Sequence, residues 1–468
     1  MWTENGFSRR QWLRRSWQGI GSVALSSMLA RAAGRKPHHA AKAKNVIFLF
    51  MSGGMSQVDT FDYKPDLAKF AGKRLPALPG LDGEIASFLS RPHAALPSPF
   101  EFKRHGQTGR WVSSLFRHLP QSIDDLAFVH GVKVDSNNHS PATMHVNTGS
   151  PFQGNPSVGA WVSYGLGSEN ENLPSYVVLH DPRGGPVNGS AVWQSGYLPA
   201  TYQGTPFQSS GTPILNLDSP PGVSRELARR ELDYIGLLNR RHAAERSHTS
   251  DLDARIAAYE LAFRMQMEAP DSVDIGQETA ATRTEYGLDE ARTEPFGRQC
   301  LMARRLVEKG VRFVLLVHGW ENGIYSWDHH QDLENLLPAR AVEVDRPVTA
   351  LLRDLKRRGM WEDTLVVWVS EMGRTPFSEG GGKRLGRNHN QYAMLTWMAG
   401  AGIRAGATLN ETDDFGVKAA GSPVPVRDVH ATVLHLLGLE HTALTYLHEG
   451  RYKRLTDTGG EVLKGILA

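Results

Sequence analysis

From residue 45 onward, unbroken apolar runs alternate with amphipathic stretches. Asn45–Met51 (NVIFLFM), Leu126–Val132 (LAFVHGV), Arg312–Val317 (RFVLLV) and Thr364–Val369 (TLVVWV) are short and rich in β-branched and aromatic residues. Such runs predict strands buried on both faces. Ser175–Leu179 and Tyr392–Ala399 read as two more strands. Helical spacing appears in Trp111–Leu119, Val158–Leu166, Arg292–Lys309, Ala339–Arg358 and Pro425–Leu437. The highly charged stretch Val223–Met267 carries Leu227, Leu232, Ile235 and Leu238 at helical intervals, which predicts one or two helices flanking the sheet or capping a site. Residues 66–108 and 182–215 are punctuated by Pro and Gly and read as surface excursions, the second a lid or edge insertion. Strands alternating with helices predict an α/β fold, with a mostly parallel sheet covered by helices on both faces.

Polar clusters follow four of the strand-like runs, at 52–62, 135–148, 318–330 and 370–389. In a parallel sheet such clusters converge at one edge, where open α/β sheets bind ligands. The loop after Arg312–Val317 ends in Asp328, His329 and His330; a carboxylate beside imidazoles is half of a divalent-metal site. The Gly53-Gly54 turn lacks both G-x-G-x-x-G and a Walker lysine, which argues against nucleotide binding. Ser140 before Pro141 predicts a helix entry with Ser140 as N-cap, a position that also stabilises an anion.

Charge enters the picture at the N-terminus. Five arginines against Glu4 place +4 in the first 32 residues, so the formal +3 of the whole chain leaves −1 for the remainder. That excludes an electrostatic footprint for nucleic acid. Ser8-Arg9-Arg10-Gln11-Trp12-Leu13-Arg14 resembles the twin-arginine export motif, followed by a short apolar run and Ala30-Arg31-Ala32 as a cleavage site. Residues 1–32 are therefore expected to be a signal peptide delivering the protein to the periplasm or cell envelope. Residues 33–44 then read as a linker. The mature part, 45–468, is expected to be one domain with a helical insertion around 182–270. Cys300 is the only cysteine, so no intrachain disulfide or thiolate zinc site can form.

The pieces FMSGGMSQVDTFD, HSPATMHVNTG, SWDHH, SEMGRTP, GRNHN and RDVHATVLHLLGL together resemble the Tat-exported, sulfatase-like domain-of-unknown-function family 1501, within the alkaline phosphatase superfamily. The resemblance implies a three-layer α/β/α sandwich and a hydrolase of phosphate or sulfate esters, those carried on polysaccharides included. It also implies divalent metal (Zn, Ca, Mg or Mn) held by Asp328, His330 and His389. A second metal site departs from the pattern: Ser52 replaces an aspartate for which Asp59 is a nearby substitute, and Glu371-Met372 replaces Asp-His. Where sulfatases carry the residue that becomes formylglycine, this sequence has His139, so that mechanism is not expected. Ser140 and Thr143 are the candidate hydroxyl nucleophiles, His139 a candidate acid, base, ligand or covalent nucleophile, and Arg374 and Arg387 the candidate anion holders. The alternative implied by these departures is a degenerate member that binds a glycan or acts as an envelope scaffold.

Overall fold

Alternate residues of the first apolar run point into two different cores. Ile47, Leu49 and Met51 join one cluster of buried side chains, and Val46, Phe48 and Phe50 join another. This period of two is the geometry of a strand with a helical layer on each face. The structure, a computed structural model, describes residues 36–75, 94–214, 222–244, 250–320 and 326–468. Its strands are β1 (Asn45–Met51), β2 (Phe102–His105), β3 (Arg110–Ser113), β4 (Ala127–Lys133), β5 (Tyr176–Leu179), β6 (Thr205–Phe207), β7 (Phe313–His318), β8 (Thr364–Ser370), β9 (Gly373–Gly381), β10 (Arg384–Asn390), β11 (Met394–Gly400), β12 (Thr408–Leu409) and β13 (Val424–Pro425). The helices are α1 (His139–Thr148), α2 (Val158–Leu166), α3 (Arg225–Ala244), α4 (Ser250–Val273), α5 (Ala280–Glu285), α6 (Glu294–Glu308), α7 (Leu333–Arg357) and α8 (Val426–Leu436).

The main sheet runs β12-β4-β11-β8-β1-β7-β5-β6, with β13 also on β4. All its pairings are parallel except those of β11, which is antiparallel to both β4 and β8. Leu301 and Leu306 of α6 and Val344 and Leu351 of α7 cover one face. Trp161 and Val162 of α2 and Val433 and Leu434 of α8 cover the other. The result is the expected three-layer α/β/α sandwich. Each fully buried aliphatic or aromatic side chain contributes about 1.5–3 kcal/mol of transfer free energy, so both faces help hold the sheet.

Register places the site. Met51 lies opposite both His318 and Ser370, so β1, β7 and β8 end at one level and release their polar followers at one edge. The ends are stitched together: Ser52 donates its N–H to His318 O at 2.9 Å, and the Ser370 hydroxyl donates to Met51 O at 2.6 Å.

Three sequence expectations are corrected. Trp111–Leu119 is not a helix. Its first part is β3, in a hairpin with β2, where Trp111 stacks 5.0 Å below the Arg104 guanidinium and 4.9 Å from the Tyr63 ring. The chain then turns because Asp345 accepts the N–H groups of Arg117, His118 and Leu119 at 2.6–2.8 Å. Gly380–Gly382, which reads from the sequence as a Gly-rich loop, lies in an antiparallel hairpin, β9 and β10, with an irregularity between Arg387 and His389. The N-cap of α1 is Asn138, whose side chain accepts the Ser140 N–H at 3.3 Å, so Ser140 sits inside the helix. The expected signal peptide at 1–32 lies outside the described residues. Residues 36–44 are tied down: His38 donates to Gly438 O and Lys42 and Ala43 to Leu436 O, all at 2.8 Å. In the predicted insertion, α3 and α4 pair through Arg229 and Glu260, and α4 buries Met265, Ala269 and Val273 in the core.

Candidate metal centre

Four elements deliver four side chains to one point. His139 opens α1, Asp328 and His330 lie in the loop between β7 and α7, and His389 lies near the end of β10. One ligand atom from each falls within 4.8 Å of all the others. Glycine makes the approach feasible at two places. A Cβ on Gly53 would lie 2.4 Å from Trp327 N and 2.7 Å from Asp328 N, and one on Gly386 would lie 2.2 Å from His330 C. Gly53 also has φ of 117°, a conformation that side chains disfavour. The glycines thus let the 326–331 loop lie flat between the β1 turn and the β9–β10 hairpin.

The histidines are oriented alike. His139 Nδ1 lies 2.9 Å from Glu371 Oε1, His330 Nδ1 lies 2.8 Å from Glu379 Oε2, and His389 Nδ1 lies 2.6 Å from Asn137 O. Carboxylates and carbonyls only accept, so each Nδ1 carries the hydrogen and each neutral ring leaves Nε2 bare. The three Nε2 atoms turn inward: His139 to Asp328 Oδ2 at 3.2 Å, and His330 and His389 to Asp328 Oδ1 at 2.9 and 3.3 Å. His330 Nε2 and His389 Nε2 are themselves 2.9 Å apart. Bare nitrogen lone pairs and a carboxylate converging at this distance repel unless a cation or extra protons lie between them. Without a cation, added protons relieve part of the repulsion. Burial pulls His139 down, but hydrogen bonds to Asp328 and Glu371 outweigh it and raise its pKa to about 9. The bond to Asp328 raises His330 despite burial, whereas burial prevails at His389 and lowers it. Burial opposes ionisation of Asp328, yet bonds from the three histidines and the charge of Arg374 hold its carboxyl far below the usual range. Imidazoles whose outer nitrogens are held by oxygen acceptors are the usual arrangement around a metal. These residues fit one.

The other expected residues fall into two groups. Glu371 is fully buried and accepts from Gly53 N at 2.7 Å as well as from His139, so it borders the cluster. Arg374 donates to Asp328 Oδ1 at 2.5 Å, Gly54 O at 2.7 Å, Arg387 O at 3.2 Å and Gly53 O. Arg387 and Asp59 pair with each other, both fully buried, at 2.6 and 2.9 Å, and Asp59 also accepts from Ser56 Oγ. Ser140 Oγ donates to Asn188 Oδ1 at 2.7 Å, and Thr143 is fully buried within α1. His329, between the two ligands of its loop, is buried, and burial with the charges of Arg374 and Arg340 lowers its pKa to about 3. Sequence reasoning missed Glu379, Asn137 and Gln57. Gln57 accepts the Arg374 N–H and donates to Arg374 O, both at 2.8 Å, and so pins the hairpin to β1. No local pattern marks these residues, because each works through a partner far away in sequence.

The family model for a protein of unknown function, DUF1501, matches residues 43–467. The chain belongs to the DUF1501 family. No curated protein matches it. Similar solved structures include a phosphonate monoester hydrolase from Silicibacter pomeroyi, at 11% identity and TM-score 0.36 over 84% of this chain and 73% of that one. An alkaline phosphatase from the Antarctic bacterium TAB5 has 10% identity and TM-score 0.32, over 85% and 99%. The PsFucS1 sulfatase from Pseudoalteromonas sp. has 14% identity and TM-score 0.30, over 91% and 72%. At such values the site itself, not the likeness, has to carry the function of this DUF1501 member. Among the described residues no helix is long and apolar enough to cross a membrane.

Proposed function

We propose that this protein is an exported, metal-dependent hydrolase of phosphate or sulfate esters, with His139, Asp328, His330 and His389 holding the metal. The observation that carries the reading is the inward convergence of three Nε2 atoms on one carboxylate, each imidazole fixed from behind by an acceptor. Three imidazoles and one carboxylate favour zinc or another transition ion over the oxygen-seeking Ca or Mg. A divalent cation held there supplies Lewis acidity and an acidified water. Around it, Glu371, Glu379 and Asn137 fix the imidazoles, Arg374 fixes Asp328, and the N-terminus of α1 beside His139 favours an anionic ester. Ser140 is engaged by Asn188 and Thr143 is buried, so water rather than a side-chain hydroxyl is the nucleophile in this reading. Asp59 and Arg387 brace the hairpin as a closed pair. Export rests on the twin-arginine motif at residues 8–14.

One observation favours a second reading, a degenerate member that binds a glycan or serves as an envelope scaffold. Both arginines expected to hold the anion spend their guanidinium groups on protein acceptors. Elemental analysis of the purified protein, with chromogenic phosphate and sulfate esters assayed on wild type and Asp328→Ala, separates the two. Hydrolysis that needs metal and disappears in Asp328→Ala supports the hydrolase. Metal-free protein with no hydrolysis, or with hydrolysis unchanged in the variant, refutes it.

A further inference from the structure

Arg374 is an unusual neighbour for a metal ligand. Its side chain is 1% exposed and lies within a cage of oxygens: Gly53 O and Gly54 O from the β1 turn, Arg387 O from β10, and Oδ1 of Asp328. A guanidinium buried this deeply is retained only where its charge and its N–H groups are both matched. Three of its acceptors are neutral carbonyls, so the charge it answers is that of Asp328. A cage of three carbonyls and a carboxylate oxygen is also the donor set that a hard cation selects. In this chain the cage is filled by a side chain.

The charges of the centre support the same conclusion. Asp328, Glu371 and Glu379 bring three negative charges, and Arg374 returns one. Asp59 and Arg387, next to them, cancel as a buried pair. With neutral imidazoles two negative charges remain, the charge of one divalent ion. A second divalent ion would leave two uncompensated positive charges in a largely buried site, and desolvation makes that costly.

We propose that Arg374 is a built-in second cation, so that the centre binds one divalent metal ion per chain and the guanidinium occupies the place a second would take. This rests on the metal reading above and goes beyond it by fixing the metal count and assigning Arg374 as a positioning residue for Asp328 rather than a substrate contact. The arginine holds Oδ1, which His330 Nε2 and His389 Nε2 also face, and so fixes the carboxylate that the three imidazoles share with the metal.

The test is a count. The full chain, stripped with a chelator, is titrated calorimetrically with Zn²⁺ and separately with Mn²⁺, and bound metal is measured by elemental analysis after dialysis. One equivalent per chain is expected for wild type. Arg374→Ala opens the oxygen cage and removes one positive charge; it is expected to take up a second equivalent, best with Mn²⁺, with the circular dichroism of the wild type. Two equivalents in wild type overturn the proposal while leaving the metal reading intact, and zero equivalents overturn both. A folded Arg374→Ala that still binds one equivalent refutes the role given to the arginine. Where Arg374→Ala does not fold, the wild-type count decides alone.

Discussion

Two polar clusters, one around a single histidine and one around three, lie at the same edge of the sheet, and they solve their electrostatics in opposite ways. At the end of β7, His318 accepts the Trp327 indole N–H on Nδ1 at 3.0 Å and so donates from Nε2 to Glu343 at 2.9 Å. Glu343 also meets Arg183 and Arg340, and Arg183 meets Asp181, so two carboxylates face two guanidinium groups. Donors there meet acceptors, and the formal charges sum to zero. Close by, His330 from the same loop, His139 from α1 and His389 from β10 turn three ring nitrogens towards the Asp328 carboxylate. The first cluster is complete in itself and fixes the strand end. The second, in the metal reading proposed above, is completed by a cation. The second cluster is also the more exposed, its ligand side chains only partly buried where His318, Glu343 and Asp181 are almost fully so; the direction of the hydrogen bonds separates the two.

Removing one carboxylate from each cluster breaks the comparison most sharply. Loss of an outer partner of a metal ligand weakens binding about 10–100-fold, so loss of the shared ligand in Asp328→Asn is expected to cost at least about 100-fold in metal affinity, with the chain still folded. In Glu343→Ala the buried positive charges of Arg183 and Arg340 lose a partner, and the expected cost is about 3–5 kcal/mol of stability, with metal per folded chain unchanged. Calorimetric metal titration and urea unfolding of both variants check this. Metal loss in Glu343→Ala without unfolding would erase the distinction.

Arg387 tests whether its pair with Asp59 belongs to the complete class. Both side chains are fully buried, and the contact is bidentate. Arg387→Met is expected to destabilise by about 3–5 kcal/mol. Asp59→Asn and Arg387→Met together are expected to cost less than the sum of the two, because neither charge is then stranded. Urea unfolding of the three variants reads this out. Glu379→Ala is a milder change on the incomplete side. It frees His330 from its outer acceptor, and the expected loss is about 10–100-fold in metal affinity with unchanged unfolding.

Hydrophobic pattern predicted the main strands and the order of layers because burial on both faces leaves a continuous apolar run that few other structures permit. Asp328 and His330 drew notice by their place after a buried strand and His389 through the family resemblance; the structure brings the three together with His139. The helix expected at Trp111–Leu119 failed because Trp111 is held by Tyr63 and Arg104 rather than by helical neighbours, and spacing alone cannot show that. Arg374 and Arg387 looked like anion holders because a sequence shows a charge but not what faces it. Only the folded chain brings Asp328 to one and Asp59 to the other. Glu379 was invisible for the same reason, since 49 residues separate it from His330.

His430, on α8 beneath the site helix α1, extends the contrast to a histidine that is not near the centre. It is completely buried and its Nε2 donates to Val146 O at 2.7 Å. Burial first, then the charges of His145 and Arg427, lower its pKa to about 3, although the bond to Val146 pulls the other way. The folded chain therefore keeps this imidazole neutral at pH values where an unfolded one, near 6.5, takes a proton. Below about pH 6.5 the unfolded state binds one more proton than the native state, and stability falls with pH until both forms are protonated near pH 3. The slope from one such group is about 1.4 kcal/mol per pH unit. His430→Gln keeps a donor for Val146 O but cannot titrate, so urea unfolding between pH 6 and 4 is expected to show a shallower fall than in wild type, by up to that slope. Equal slopes would mean that the native chain admits the proton at His430.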